Sequence, residues 1–219
     1  MKLSKRLKTI ANMIPENSHV LDIGCDHALL DIYLTLEKGC RCVASDINEN
    51  ALQSARENVD KYEVQKEIEI VCAPGLDGVE VTEESYVVIA GMGTMTILDI
   101  LSSTQTSKIQ HLILQSNREL ETLRKEVTRL GFRIREEYAL EEKGIFYVVI
   151  LWERGSATYQ EMEYRYGPYL LKHDLDYLKQ MLRREKELFV RLPENHSKKR
   201  SEQKKTIAFL EKRIASFSK

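Results

Sequence analysis

The run Val20-Leu21-Asp22-Ile23-Gly24-Cys25-Asp26-His27 places carboxylates, a thiol and an imidazole around one glycine at the end of an apolar strand. A glycine in that position lets the backbone approach a ligand closely. In a doubly wound sheet the ligand lies at the carboxyl ends of the strands. The run is not the dinucleotide fingerprint G-x-G-x-x-G, because Asp26 stands where its second glycine belongs. A carboxylate there repels a pyrophosphate at the following helix N-terminus, but it accepts hydrogen bonds from an amino-acid ammonium group. The loop Gly24-Cys25-Asp26-His27 therefore favours S-adenosylmethionine, which has an ammonium and a sulfonium and no phosphate, over a nicotinamide dinucleotide. The competing reading of Asp26 is a helix cap. His27 reads either as a contact to the cofactor or a target base, or as a plain helix-start residue.

Asp46 closes the second strand, 22 residues after Gly24. An acid at about 20 residues past the glycine turn accepts both ribose hydroxyls of a nucleoside. Ile47 beside it is a candidate for packing on the adenine face, or an ordinary core residue. Gly91-Met92-Gly93 follows the fourth strand, where two glycines and a thioether leave an open backbone and a flexible apolar contact; a tight turn with Thr94 as cap is the alternative. Gln115-Ser116-Asn117 follows the fifth strand. Amides donate and accept, so Asn117 is a candidate for orienting a base edge; capping by Ser116 or Asn117 competes. His19, His111, His173 and His196 show no partner pattern, and no Cys/His cluster has metal-site spacing.

The elements that must position these residues are five apolar, β-rich runs: residues 20–23, 40–45, 68–72, 86–90 and 112–114. Their continuous hydrophobicity suits a parallel sheet covered on both faces. Helical spacing of Leu29, Ile32, Tyr33 and Leu36, and of Ala51, Ala55, Val59 and Tyr62, separates them into βα units. Ser116-x-x-Glu119 predicts a capping box opening a helix to Leu130. Residues 132–140 and 145–152, joined by Glu141-Glu142-Lys143-Gly144, predict a β-hairpin. The fold expected is α/β: a Rossmann-like, mostly parallel seven-strand sheet of the class I methyltransferase plan with a C-terminal hairpin. A short amphipathic helix, with Leu3, Leu7, Ile10 and Ile14 on one face, precedes it and stops at Pro15.

Gly155-Ser156 is the expected boundary between a cofactor-binding domain, 1–155, and a helical appendage, 156–219. In the appendage Leu171, Leu175, Leu178, Leu182, Phe189 and Leu192 follow a heptad-like seam broken at Glu185. Ile207, Leu210, Ile214 and Phe217 resume it after Pro193, which predicts an antiparallel, coiled-coil-like helical hairpin. The net charge of −1 hides an asymmetry. From Ser156 onward there are 15 Lys and Arg against 9 Asp and Glu, a balance of +6, whereas the remainder carries −7. A basic appendage fits a polyanionic partner. At 219 residues, with 42% hydrophobic and 31% charged residues, the chain reads as globular. No apolar run reaches the roughly 18 residues of a membrane span, and the N-terminus lacks a signal-peptide pattern. Cys25, Cys40, Cys42 and Cys72 read as buried reduced thiols, consistent with a cytoplasmic protein.

Together these motifs resemble one family, the bacterial tRNA adenine-22 N1-methyltransferases. The matching residues are Asp22-Ile23-Gly24-x-Asp26-His27-Ala28, Ala44-Ser45-Asp46-Ile47-Asn48, Gly75-Leu76, Gly91-Met92-Gly93, Leu112-Ile113-Leu114-Gln115-x-Asn117 and Leu130-Gly131-Phe132, with the Phe146-Tyr147 strand. The resemblance covers nearly the whole chain. It implies S-adenosylmethionine as cofactor and tRNA as partner, and it adds Gly75 and Leu76 to the cofactor site; no metal is expected from the Cys and His spacing. It also implies methyl transfer to an adenine ring nitrogen that already has a lone pair, with Asp26 for electrostatics and Asn117 for base orientation. The chain departs from the family at Leu29 (commonly Tyr), Asp31 (Pro), Pro74 (Asp), Thr94 (Gly) and Ser116 (Pro). The other readings of the residues are a class I methyltransferase with another acceptor, a nicotinamide-dependent oxidoreductase, and a non-catalytic RNA-binding module.

Overall fold

The computed structural model describes residues 1–218. The chain divides into two compact units, residues 1–165 and 166–219. In the first unit the order is α1 (Lys5–Asn12), β1 (His19–Ile23), α2 (Leu29–Lys38), β2 (Arg41–Asp46), α3 (Glu49–Lys61), β3 (Ile68–Cys72), β4 (Ser85–Met92), α4 (Thr94–Ile100), β5 (His111–Ser116), α5 (Leu120–Arg129), β6 (Phe132–Glu142) and β7 (Ile145–Arg154). A short 3₁₀ turn, Thr104–Lys108, precedes β5.

The strands form one sheet in the order β3-β2-β1-β4-β5-β7-β6. β1 to β5 are parallel, and β7 runs antiparallel between β5 and β6. All seven expected strands are present, the last two as the expected hairpin. Val20, Val88, Ile113 and Val149 join Ile10, Ile32 and Leu52 of the helices in one buried cluster. Their strand neighbours Leu21, Val87, Ile89 and Leu114 face the opposite side and are also buried. Burial on both faces is why these strands read as unbroken apolar runs. The strand order reverses between β1 and β4, which opens a crevice at their carboxyl ends.

Two expectations fail locally. Ser116 ends β5 and does not cap α5, which starts at Leu120 behind Glu119 in the left-handed region (φ 58°) with no side-chain cap. Its hydroxyl is turned to Thr94 Oγ1 at 2.9 Å and to the Arg118 carbonyl at 2.8 Å. Cys25, Cys40 and Cys42 are buried free thiols, but Cys72 is exposed, because it ends the edge strand β3, which has a neighbour on one side only.

The division at Arg165/Tyr166 lies beyond Gly155-Ser156 because the intervening segment is tied to the sheet unit. The Tyr159 hydroxyl accepts from Ile134 N at 2.8 Å. The carbonyls of Tyr164 and Arg165 accept from Arg124 at 3.0 and 3.2 Å. Arg124 also meets Glu137 at 2.8 Å, both side chains being fully buried.

The division falls inside α6 (Glu161–Tyr166), and the second unit then holds α7 (Leu170–His173), α8 (Leu175–Arg191) and α9 (Ser197–Ala215). Asp174 caps α8 by accepting from Tyr177 N at 2.9 Å, which interrupts the apolar seam between Leu171 and Leu175. α8 and α9 run antiparallel: Lys186 pairs with Glu211 at 2.7 Å, and Arg200 lies over the Phe189 ring at 4.3 Å. Glu185, where the seam breaks, is buried. It accepts from the Tyr166 hydroxyl at 2.6 Å and from the Gln203 amide.

Candidate cofactor cleft

A cavity of about 360 Å³ opens at the carboxyl ends of β1, β2 and β4, within the size range of small-ligand sites. The loop after β1 supplies Gly24, Cys25, Asp26 and His27, β1 itself supplies Asp22, β2 supplies Asp46, and the end of β4 supplies Ala90, Gly91 and Met92. Eight of the residues singled out from sequence thus converge on one cleft.

The backbone explains the glycines. Gly24 has φ +83°, and a Cβ there would stand 2.1 Å from Met92 Cε. Any other residue there would have to displace the Met92 methyl and take a left-handed φ that side chains rarely adopt. Gly91 has φ +82°, with the Arg6 guanidinium 3.2 Å from the site of a Cβ. Asp26 and Ala28 also take left-handed φ values, both 53°. α2 begins behind Ala28 with no side-chain cap, so Asp26 does not cap it. The Asp26 carboxylate is exposed and lies 3.5 Å from His27 Nε2. Leu29 and Leu30, the first residues of α2, line the cleft.

Asp46 is held from two sides: Oδ1 accepts from Asn48 N at 2.9 Å and Oδ2 from Asp26 N at 3.2 Å. Each oxygen can still accept a further hydrogen bond, and Asp46 lines the cleft. Below it, burial drives the Asp22 carboxyl well above the usual range, reinforced by the charge and hydrogen bond of Asp31 and opposed by Arg6. Burial pushes Asp31 up to about 7. Burial and the neighbouring carboxylates also raise the Cys25 thiol, leaving it a neutral, apolar contact.

Asn117 stands behind Gly91. Its Nδ2 donates to the Gly91 carbonyl at 2.8 Å, and its Oδ1 accepts from Gln115 Nε2 at 3.1 Å. Gln115 Oε1 in turn accepts from Gly91 N at 3.1 Å and from Arg6 at 2.9 Å. Asn117 and Gly93 are not among the residues lining the cleft. Ile47 is 72% exposed, so it is not core. It sits between the lining residues Asp46 and Asn48. Gly75 and Leu76 are likewise not among the lining residues: a Cβ on Gly75 would stand 3.2 Å from Ile100 Cγ1, and Leu76 is buried with its carbonyl accepting from Gln105 at 2.8 Å. The cleft also includes Arg6, Leu7, Leu29, Leu30, Asn48 and Ala51, none of them singled out beforehand as binding residues. Asn48 was legible as the neighbour of Asp46. No local motif marks Arg6, whose partner Gln115 is 109 residues away.

Among the described residues no group of three His, Cys, Asp or Glu could hold a metal ion, and no helix is long and apolar enough to cross a membrane.

Residues 3–150 match the methyltransferase domain family. A tRNA (adenine(22)-N(1))-methyltransferase of Bacillus subtilis (strain 168) is 34% identical over 182 residues, 78% of this chain and 76% of that protein. The chain belongs to this methyltransferase family. The sheet is the Rossmann-like class I methyltransferase fold. The crystal structure of the B. subtilis m1A22 tRNA methyltransferase TrmK superposes with a TM-score of 0.80 at 28% identity, covering 97% of this chain and 99% of that one. M. capricolum TrmK, solved with the natural cofactor product S-adenosyl-homocysteine, superposes with a TM-score of 0.81 at 28% identity, covering 98% and 99%.

The residues present fit such a cofactor. Asp46, with both oxygens pinned and still accepting, suits a ribose diol. Asp22 and Arg6 offer one group of each sign for an amino-acid end, and three carboxyl groups around the cleft suit a cation and oppose a phosphate.

Proposed function

We propose that this methyltransferase transfers a methyl group from S-adenosylmethionine to ring nitrogen 1 of adenine 22 in tRNA. The observation that carries the reading is the convergence of Asp22, Asp26 and Asp46 on one cleft whose ribose-facing acid is fixed by two backbone N–H groups. The relationship to the B. subtilis enzyme supports the acceptor. S-adenosylmethionine supplies the activated methyl on its sulfonium when bound.

The chain's own groups bind and orient. Asp46 takes the ribose hydroxyls, Asp22 and Arg6 the amino-acid end, and Gly24 and Gly91 leave room for both. Ring nitrogen 1 carries its own lone pair, so positioning supplies the rate, by up to about 10 kcal/mol in ideal cases. Asn117, fixed by Gly91 and Gln115, presents a rigid amide to a base edge, and Asp26 offsets the positive charge that develops on the methylated ring. An adenine in folded tRNA must first be unstacked. The helical segment from Ser156 onward, with exposed Lys198, Lys199, Lys204 and Lys205 on α9, is read as the surface that holds the tRNA body.

The test is transfer of labelled methyl to unmodified tRNA transcripts in pairs, one with adenine and one with guanine at position 22. Label confined to the adenine transcript is expected. Equal label on both moves the target to another nucleotide, and no label on either, with cofactor bound, removes tRNA as the acceptor.

A further inference from the structure

Asp31 is fully buried in the first turn of α2, and neither carboxyl oxygen accepts a hydrogen bond of normal geometry. The groups that face it are the Asp22 carboxyl, the Cys42 thiol of β2 and its own backbone N–H. Asp22 is 6% exposed and lines the cleft. The charged and titratable groups around Asp22 are Asp31 from α2, Arg6 from α1, Asp46 from β2 and Cys25 from the loop after β1. Two buried carboxyl groups within hydrogen-bonding reach cannot both ionise; they share a proton and titrate as a pair. An orphaned carboxylate at this depth is costly, whereas a carboxyl donating to its neighbour satisfies both.

We propose that Asp22 and Asp31 hold one proton between them beneath the cleft and release it to solvent when the cationic amino-acid end of S-adenosylmethionine arrives. The inference rests on the cofactor reading above and makes Asp31 a positioning residue acting through Asp22. With the shared proton the pair carries one negative charge, and without it two. An ammonium group beside Asp22 replaces the proton as the partner of the second charge. Burial has already raised the affinity of both groups for the proton, that of Asp31 to about 7. By linkage, cofactor affinity then rises with pH while the proton is being displaced, by up to about tenfold per pH unit. The Cys25 and Cys42 thiols, raised by the same burial, stay protonated and take no part.

The test is calorimetric titration of the full chain with S-adenosylmethionine at pH 6, 7 and 8, in buffers of different ionisation enthalpy. Wild type is compared with Asp31→Asn, in which an amide N–H replaces the shared proton. The amino group of the cofactor contributes equally to both proteins, so the difference between them reports the pair. Wild type is expected to release more protons at pH 7, by a substantial fraction of one, and to show the steeper rise of affinity with pH. Equal proton release and parallel pH profiles, with binding intact, overturn the proton pair and leave the cofactor reading standing. No binding by wild type at any pH overturns both. If Asp31→Asn does not fold, ¹³C-carboxyl aspartate labelling of wild type decides. A carboxyl resonance titrating near neutrality and shifting on cofactor addition is expected, and its absence sinks the proposal.

Discussion

The hydroxyl groups of Thr94 and Ser116 lie 2.9 Å apart with both residues buried. Thr94 opens α4 and Ser116 closes β5, so the bond ties together the loops leaving β4 and β5 beside the cleft. Thr94 Oγ1 also lies 2.7 Å from the Arg118 carbonyl. The contact needs a hydroxyl on both residues. Thr94→Val should cost about 1–3 kcal/mol by leaving buried oxygens without a partner. The double variant with Ser116→Ala should cost less than the sum, as read from urea unfolding in a double-mutant cycle. Strict additivity would show that the hydroxyls act independently.

Asp46→Ala removes the acceptor for the ribose and the anchor of the Asp26 and Asn48 backbone N–H groups. Cofactor affinity should fall at least tenfold, about 1.4 kcal/mol, with the far-ultraviolet dichroism unchanged. Equilibrium dialysis measures it; an unchanged dissociation constant would move the ribose elsewhere.

Asn117→Ala leaves the Gly91 carbonyl and the Gln115 amide without their shared partner. It should lower kcat on tRNA by roughly 10²-fold, the scale of an oriented polar contact, with a much smaller effect on cofactor binding. Asp26→Ala should also cut methyl transfer while the fold is kept. Single-turnover assays at saturating cofactor separate these effects from affinity, and full activity in either variant removes that residue from the mechanism.

The buried carboxyl pair makes stability depend on pH. Asp31 is raised from an ordinary value of 3.8 to about 7, so between these limits the folded chain holds protons that the unfolded chain has lost. Stability conferred by the protonated pair is therefore fully present below about pH 4 and is lost as pH rises toward 7. Thermal unfolding of the cofactor-free chain should show this contribution, and Asp31→Asn should flatten the profile above pH 5.

Arg124→Met strips a fully buried Glu137 of its guanidinium and releases the carbonyls of Tyr164 and Arg165. The expected loss is about 3–5 kcal/mol, together with faster proteolysis of the segment after Gly155. Arg124→Met with Glu137→Leu should recover part of it, because no lone buried charge remains.

The strands were legible because burial on both faces writes itself as unbroken runs such as Val87-Val88-Ile89. The cleft loops were legible because Gly24 and Asp46 end such runs, where ligands gather. The Ser116 cap misled because serine serves a buried hydroxyl contact as well as a helix start, and only the distant Thr94 decides between them. Gly75 and Leu76 entered by resemblance alone, and the distant Gln105 that holds the Leu76 carbonyl leaves no local trace. Arg6 and Asp31 stayed hidden for a related reason: one completes the cleft across more than a hundred residues, and the other looks like any polar residue in a helix's first turn.

The anchoring of α1 also has a consequence for synthesis. Lys5 N donates to Glu142 across 137 residues, and Arg6 reaches Gln115 across 109. Translation proceeds at about 5–20 residues per second, so Arg6 leaves the ribosome several seconds before either partner exists. A nascent chain stalled before β5 holds Gly91 and the β1 loop without the Gln115 contact that fixes the Arg6 guanidinium. Arg6 gains its place beside Gly91 only after β5 has been made.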